Sequence, residues 1–160
     1  MKERRQPRGP VRAFLALGSN LGDRRAHLAA AVARIPDIVA VSQLYETDPV
    51  GGPPGQGAYL NCVVELRTTR TPRELLAQAQ AAEAAARRVR VERWGPRTLD
   101  VDIVWMDGVE LNDPILTIPH PHWRERRFVL APLRDLAPDL VTARDLDLAD
   151  GRVWPVEPLD

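Results

Sequence analysis

The 160-residue chain predicts a single α+β domain in which an antiparallel sheet carries packed helices. Three observations predict it. Four short, mostly apolar runs read as strands, and alanine-rich stretches with apolar residues at helical spacing follow the first and the third. The composition, 44% hydrophobic and 28% charged, supplies one sizeable core with little room for a second.

Residues 1–10, with Lys2, Arg4, Arg5 and Arg8, read as a basic disordered arm ahead of a domain over residues 11–160. The first strand is expected over Val11 to Leu17, closed by a turn at Gly18-Ser19-Asn20, and Asp23 opens a helix that runs to Ile35. Asn20 to Asp23 either caps that helix or binds an anion at its N-terminus, and the cap is the favoured reading. Ile38 to Tyr45 reads as the second strand, and Glu46 to Gly57, with four glycines and three prolines, as a long loop. Ala58 to Leu66 is the third strand. Thr71-Pro72-Arg73-Glu74 carries the cap, first-turn proline and third-position acid of a second helix, running to about Ala86. Leu99 to Met106 is the fourth strand, with Asp107-Gly108 as a hairpin turn, Val109 to Leu111 as its return and Ile115 to Ile118 as a further short strand. Short helices are expected within Trp123 to Ala137, and the tail after Leu140 is acidic and weakly patterned. The order βαββαβ is that of a ferredoxin-like domain.

The charges balance, 22 basic against 22 acidic residues, which argues against a nucleic-acid coat or a polybasic membrane binder. No apolar run approaches the roughly 20 residues that span a bilayer. The N-terminus lacks the apolar segment of a signal peptide, so a cytoplasmic location is expected. The single cysteine, Cys62, reads as a small buried residue. Lys2 is the only lysine among the basic residues, which excludes P-loop, protein-kinase and Schiff-base chemistry. Arginine forks remain for phosphate oxygens.

Asp100 and Asp102 stand two apart on a predicted strand, so both point to one face, about 6.6 Å apart. Hard carboxylate oxygens so placed suit magnesium, which takes one or two protein carboxylates plus substrate phosphates. Arg87, Arg88, Arg90, Arg93 and Arg97 precede them, opposed only by Glu92, and this is the electrostatic setting of phosphoryl transfer. Glu83 either fixes that loop by an ion pair or is an ordinary surface acid. Tyr59 and Asn61 likewise share a strand face, a ring and an amide able to read a flat heterocycle or simply to line a half-buried sheet. His120 and His122 lack a third zinc ligand at standard spacing, so a phosphate hydrogen bond from one of them or a plain surface role is preferred. His27 has only a structural reading.

From Arg93 to Val104 the chain reads Arg-Trp-Gly-Pro-Arg-Thr-Leu-Asp-Val-Asp-Ile-Val. That segment resembles the signature of the 6-hydroxymethyl-7,8-dihydropterin pyrophosphokinase family. Leu17 to Asp23, Tyr45-Glu46-Thr47, Tyr59-Leu60-Asn61, Pro119-His120, and Arg126 with Phe128 occur in the family order, so the resemblance covers roughly Val11 to Leu140. It implies transfer of diphosphate from ATP to the pterin hydroxymethyl group, with release of AMP, in folate biosynthesis. Asp100 and Asp102 would bind two magnesium ions on the ATP phosphates. Arg88, Arg90, Arg97 and Asp102 would be catalytic, with Arg126 also neutralising the diphosphate. The resemblance further assigns Gln80, Glu83, Trp94, Ile103, Thr117 and His120 to the nucleotide. It places the pterin between Tyr59 and Phe128, with Asn61 on its edge and Thr47, Pro49 and Val50 lining the pocket. The loop before Arg97 is a residue shorter than in family members, with Val91 where a basic residue can occur. A monomer binding ATP and the pterin, with no nucleic-acid or membrane partner, is expected. Two rivals are a nucleic-acid-binding module on a ferredoxin-like sheet and a phosphodiester hydrolase using Asp100 and Asp102 as a two-metal site. Zero net charge counts against the first, and the absence of any need for an acceptor alcohol would mark the second.

Overall fold

A computed structural model describes residues 9–47, 57–87 and 98–159. Its elements are β1 (Val11–Ser19), α1 (Arg24–Arg34), β2 (Ile38–Val41), β3 (Leu44–Thr47), β4 (Tyr59–Thr68), α2 (Pro72–Arg87), β5 (Asp100–Met106), β6 (Leu111–Asn112), β7 (Thr117–Ile118), α3 (Arg127–Leu136), α4 (Ala143–Leu148) and β8 (Val153–Val156). The main sheet has the order β5-β1-β4-β3-β8, with β2 also paired to β4. Every pairing in it is antiparallel. The four expected strands therefore lie fourth, first, third, second, which is the ferredoxin-like arrangement.

The helix starts follow the predicted chemistry. Asp23 accepts a hydrogen bond from the Ala26 N–H and caps α1. Thr71 and Glu74 form a reciprocal capping box at α2: the Glu74 N–H donates to Thr71 Oγ1 at 3.1 Å and the Thr71 N–H to Glu74 Oε1 at 2.9 Å.

Alternation along the strands divides the core in two. Ala13, Leu15 and Leu17 of β1, Leu60, Cys62 and Val64 of β4, and Val101 and Ile103 of β5 face α1 and α2 and pack with Leu28, Leu75 and Ala79. Burial pushes the Cys62 thiol up to about 12, so it stays an inert core residue as expected. On the other face Phe14, Val63 and Val104 pack against Val129, Leu130 and Leu133 of α3. That second face changes character along its length. Phe14, Ala16 and Gly18 shrink in succession, while Val63 gives way to Asn61 and Val104 to Asp102, so the apolar layer beneath α3 opens into a polar cleft. Phe14→Ala removes a fully buried ring from this layer and is expected to lower unfolding stability by about 3–5 kcal/mol, measured by urea denaturation.

Four expectations are corrected. β1 continues through Gly18 to Ser19, because both residues pair with β4. The strand expected over Ile38 to Tyr45 is two strands separated at Ser42, whose N–H donates to the Val63 carbonyl and whose Oγ accepts the Val63 N–H. This side-chain link holds the jog that lets β2 and β3 pair different stretches of β4. The segment after Asp107-Gly108 does not return along β5: Leu111–Asn112 pairs with Thr117–Ile118 in a separate two-stranded sheet. The weakly patterned tail forms α4 and then β8, which pairs with β3. Residues 1–8 of the basic arm expected over residues 1–10 lie outside the described residues.

Candidate active site

The polar end of the second face is a cleft of about 420 Å³. Its floor is the sheet: Ala16 and Gly18 of β1, Asn61 and Tyr59 of β4, Thr47 of β3, and Asp100 and Asp102 of β5. Its far wall is His120 with Trp123, Glu125, Arg126, Phe128 and Val129. The register explains the convergence, since Gly18 is opposite Asn61 on one side and Asp100 on the other. Asn61, only 6% exposed, donates from Nδ2 to Thr47 Oγ1 at 2.8 Å, and a Cβ on Gly18 would sit 2.7 Å from Asn61 Oδ1. The amide is thus held between a hydroxyl and bare backbone, which is why glycine is required inside this strand. Arg24 ties together the two ends of the loop between β3 and β4, donating to Glu46 Oε1 at 3.0 Å and to the Ala58 carbonyl at 2.8 Å.

The acidic corner is prepared for cations. Asp100 is half-buried and Asp102 exposed, both on the cleft face of β5. Behind them Glu83 is half-buried and accepts the Val101 N–H at 3.1 Å, so it is not an ordinary surface acid, and the arginine loop of the ion-pair alternative, residues 88–97, lies outside the described residues. Burial, with Asp100 and Asp102 nearby, raises the Glu83 pKa, and the Val101 hydrogen bond opposes this only in part. A raised carboxyl pKa contributes stability below the ordinary glutamate value of 4.5 that is lost as pH rises through the folded value. Glu83→Gln keeps an acceptor for Val101 and removes one anion. The metal-free variant is therefore expected to melt a few degrees higher than wild type at neutral pH, with the difference vanishing in acid and the stabilisation by added Mg²⁺ reduced. Thermal melts across pH, with and without Mg²⁺, check both effects.

His120 is joined to β5 through its N–H, which donates to the Val104 carbonyl at 2.9 Å. Its Nδ1 accepts the His122 N–H at 3.2 Å, leaving Nε2 to carry the proton of the neutral ring. Burial lowers its pKa more than Asp102 raises it, so this histidine is a neutral donor at pH 7. His122 is a surface residue whose Nδ1 lies 3.1 Å from Glu125 Oε2.

Of the residues expected at a site, Thr47, Tyr59, Asn61, Asp100, Asp102, His120, Arg126 and Phe128 line this one cleft. The Arg126 guanidinium lies 5.7 Å from the Phe128 ring centroid. Ile103 does not join them: alternation turns its side chain into the core under α1 and α2. Gln80 is exposed on α2, and Thr117 sits in β7 opposite Asn112. Pro49, Val50, Arg88, Arg90, Trp94 and Arg97 lie outside the described residues. Sequence reasoning missed Gly18, Glu125 and Asp150. A glycine inside an apolar strand run was the available signal for the first. Asp150, in the unpatterned tail, had none.

The donor set fits a magnesium-type ion. Two carboxylates on one face open onto a cleft, and among the described residues no group of three or more His, Cys, Asp or Glu could hold a metal by itself. An ion that completes its shell with water and substrate oxygens is what such a pair accommodates. Residues 14–138 match the family model of 7,8-dihydro-6-hydroxymethylpterin-pyrophosphokinase. The chain belongs to this family. Similar pyrophosphokinases, each named 2-amino-4-hydroxy-6-hydroxymethyldihydropteridine pyrophosphokinase, occur in several bacteria. The Methylorubrum extorquens protein is 47% identical over 136 residues, covering 82% of this chain and 85% of that one. The Pseudomonas aeruginosa protein is 46% identical over 149 residues, covering 90% and 88%, and the Bacillus subtilis protein 41% over 150 residues, covering 89% of each. The fold is shared with a Plasmodium falciparum HPPK-DHPS chain at TM-score 0.60 and 14% identity, over 84% of this chain and 43% of that one. An HPPK-DHPS chain in complex with substrates matches equally, at TM-score 0.60, over 81% and 40%. Every cleft residue predicted from the sequence lies within the family match, and Asp150 lies beyond it.

Proposed function

We propose that this pyrophosphokinase transfers diphosphate from ATP to the hydroxymethyl group of 6-hydroxymethyl-7,8-dihydropterin, releasing AMP, in folate biosynthesis. The observation that carries the reading is one cleft holding, side by side, a pair of metal-type carboxylates and a ring-and-amide pocket. Asn61, oriented by Thr47, presents its amide to the pterin edge, and Tyr59 and Phe128 offer faces for the ring. Pro49 and Val50, which lie outside the described residues, are assigned to the pterin as well. Asp100 and Asp102 hold two magnesium ions, which supply charge neutralisation on the transferred phosphates. Arg88, Arg90, Arg97 and Arg126 bind the phosphate oxygens, His120 donates from Nε2, and Gln80, Glu83, Trp94 and Thr117 belong to the nucleotide side.

The hydroxymethyl oxygen attacks the β-phosphorus. A new O–P bond forms as the bond from the β-phosphorus to the bridging α-phosphate oxygen breaks, AMP leaves with that oxygen, and the hydroxyl proton passes to solvent. Alignment and charge neutralisation do the catalysis. The working form is taken to be a cytoplasmic monomer; no described helix is long and apolar enough to cross a membrane.

The test is AMP release from magnesium-ATP with and without the pterin. Pterin-dependent AMP, matched by one equivalent of pterin diphosphate, is expected. AMP formed equally without pterin, or none from folded protein, overturns the assignment.

A further inference from the structure

Between Arg126 and Phe128, two cleft residues, stands Arg127, which is not itself part of the lining. Its guanidinium is spent on the tail. Nε donates to the Leu146 carbonyl at 3.0 Å, Nη2 to Asp147 at 3.0 Å and Nη1 to Gly151 at 2.6 Å. The main chain adds two more links: the Arg127 N–H donates to the Asp150 carbonyl at 2.9 Å, and the Asp150 N–H to the Glu125 carbonyl at 2.8 Å. Arg126 and Asp150 consequently form an isolated parallel bridge.

Local chemistry accounts for this arrangement. The carbonyls of Leu146 and Asp147 lie in the last turn of α4, where a cation is favoured, and the Leu146 carbonyl also accepts the Ala149 N–H at 3.4 Å. Gly151, at φ +106, adopts a backbone that other residues rarely take, and its carbonyl faces the same guanidinium. Three acceptors in three directions match the planar, five-donor fork of arginine and exceed what one ammonium can span. The clamped segment, residues 146–151, lies wholly beyond the family match at residues 14–138, yet Asp150 lines the cleft.

We propose that Arg127 is a positioning residue for diphosphate transfer. By locking the 146–151 segment to the wall of the cleft, it holds the Arg126 and Phe128 side chains in the geometry that receives nucleotide and pterin. The inference rests on the reading that those two residues contact the substrates.

The experiment compares Arg127→Ala, Arg127→Lys and Arg126→Ala in the full-length protein, with steady-state kinetics for both substrates, circular dichroism and melting temperature. Arg127→Ala is expected to raise KM for magnesium-ATP and for the pterin about tenfold at temperatures where it is folded, the scale of a displaced but intact contact. Arg127→Lys, which keeps the charge but not the fork, is expected to fall between it and wild type. Faster hydrogen exchange at the Arg127 and Asp150 amides in Arg127→Ala should accompany the change. A lowered melting temperature with both KM values at wild type would make Arg127 a strut for the tail and overturn the proposal. If the alanine variant does not fold, an unchanged KM in Arg127→Lys overturns it equally. Wild-type kinetics in Arg126→Ala would instead remove the substrate role of Arg126, a different failure from that of the clamp.

Discussion

Asp102→Ala is expected to reduce pterin-dependent AMP release at least about a thousandfold while leaving the domain folded. Both halves of the expectation follow from the alternation of β5. Val101 and Ile103 carry the packing under α1 and α2, whereas Asp102 is exposed and faces the cleft. Removing its carboxylate leaves no cavity in the core. It also takes away one of the anions that raise the Glu83 pKa. What is lost is half of the carboxylate pair proposed to hold the metal, at the point where phosphate charge must be neutralised for the β-phosphorus to be attacked. Added Mg²⁺ should stabilise wild type in thermal melts and have little effect on the variant. Near-wild-type turnover by Asp102→Ala in saturating Mg²⁺ would remove the metal role of this carboxylate.

Gly18→Ala should act on the other substrate. The added methyl would lie 2.7 Å from Asn61 Oδ1, so the amide must move. Asn61 cannot turn without straining or breaking its 2.8 Å hydrogen bond to Thr47 Oγ1, and its surroundings are buried. A displaced amide leaves the pterin edge unpaired, a loss of about 2–3 kcal/mol or a 30- to 150-fold weakening of pterin binding. Nucleotide affinity should change far less. Calorimetric titration of pterin and of a non-hydrolysable ATP analogue separates the two. Equal weakening of both ligands would mean that the methyl disturbs the β1–β5 edge rather than Asn61. Asn61→Ala should reproduce the pterin defect of Gly18→Ala, and the double variant should add little, because the two changes act on one contact.

Much of this site was legible in the sequence because its signals are local. Two carboxylates at i and i+2 must share a strand face, and so must Tyr59 and Asn61. The same rule places Ile103 on the opposite face from Asp100 and Asp102, where the structure finds it. Only the resemblance to a family singled out His120 from the His120 and His122 pair and gave Phe128 its role, since neither lies on a patterned strand. Their arrival in the cleft depends on the His120 link to Val104 and on the packing of α3 over Phe14 and Val63.

The sequence by itself determined the βαββαβ order of the main elements, the caps at Asp23 and Thr71, and which residues share each strand face. These depend on interactions within a few residues, where periodicity and side-chain chemistry suffice. The tertiary structure alone decided that Gly18 stands between Asn61 and Asp100, that Glu83 backs the carboxylate pair, and that the tail returns to wall the cleft through Arg127. Each of these joins segments far apart in the chain, and strand register with three-dimensional packing sets them, quantities that no local pattern encodes.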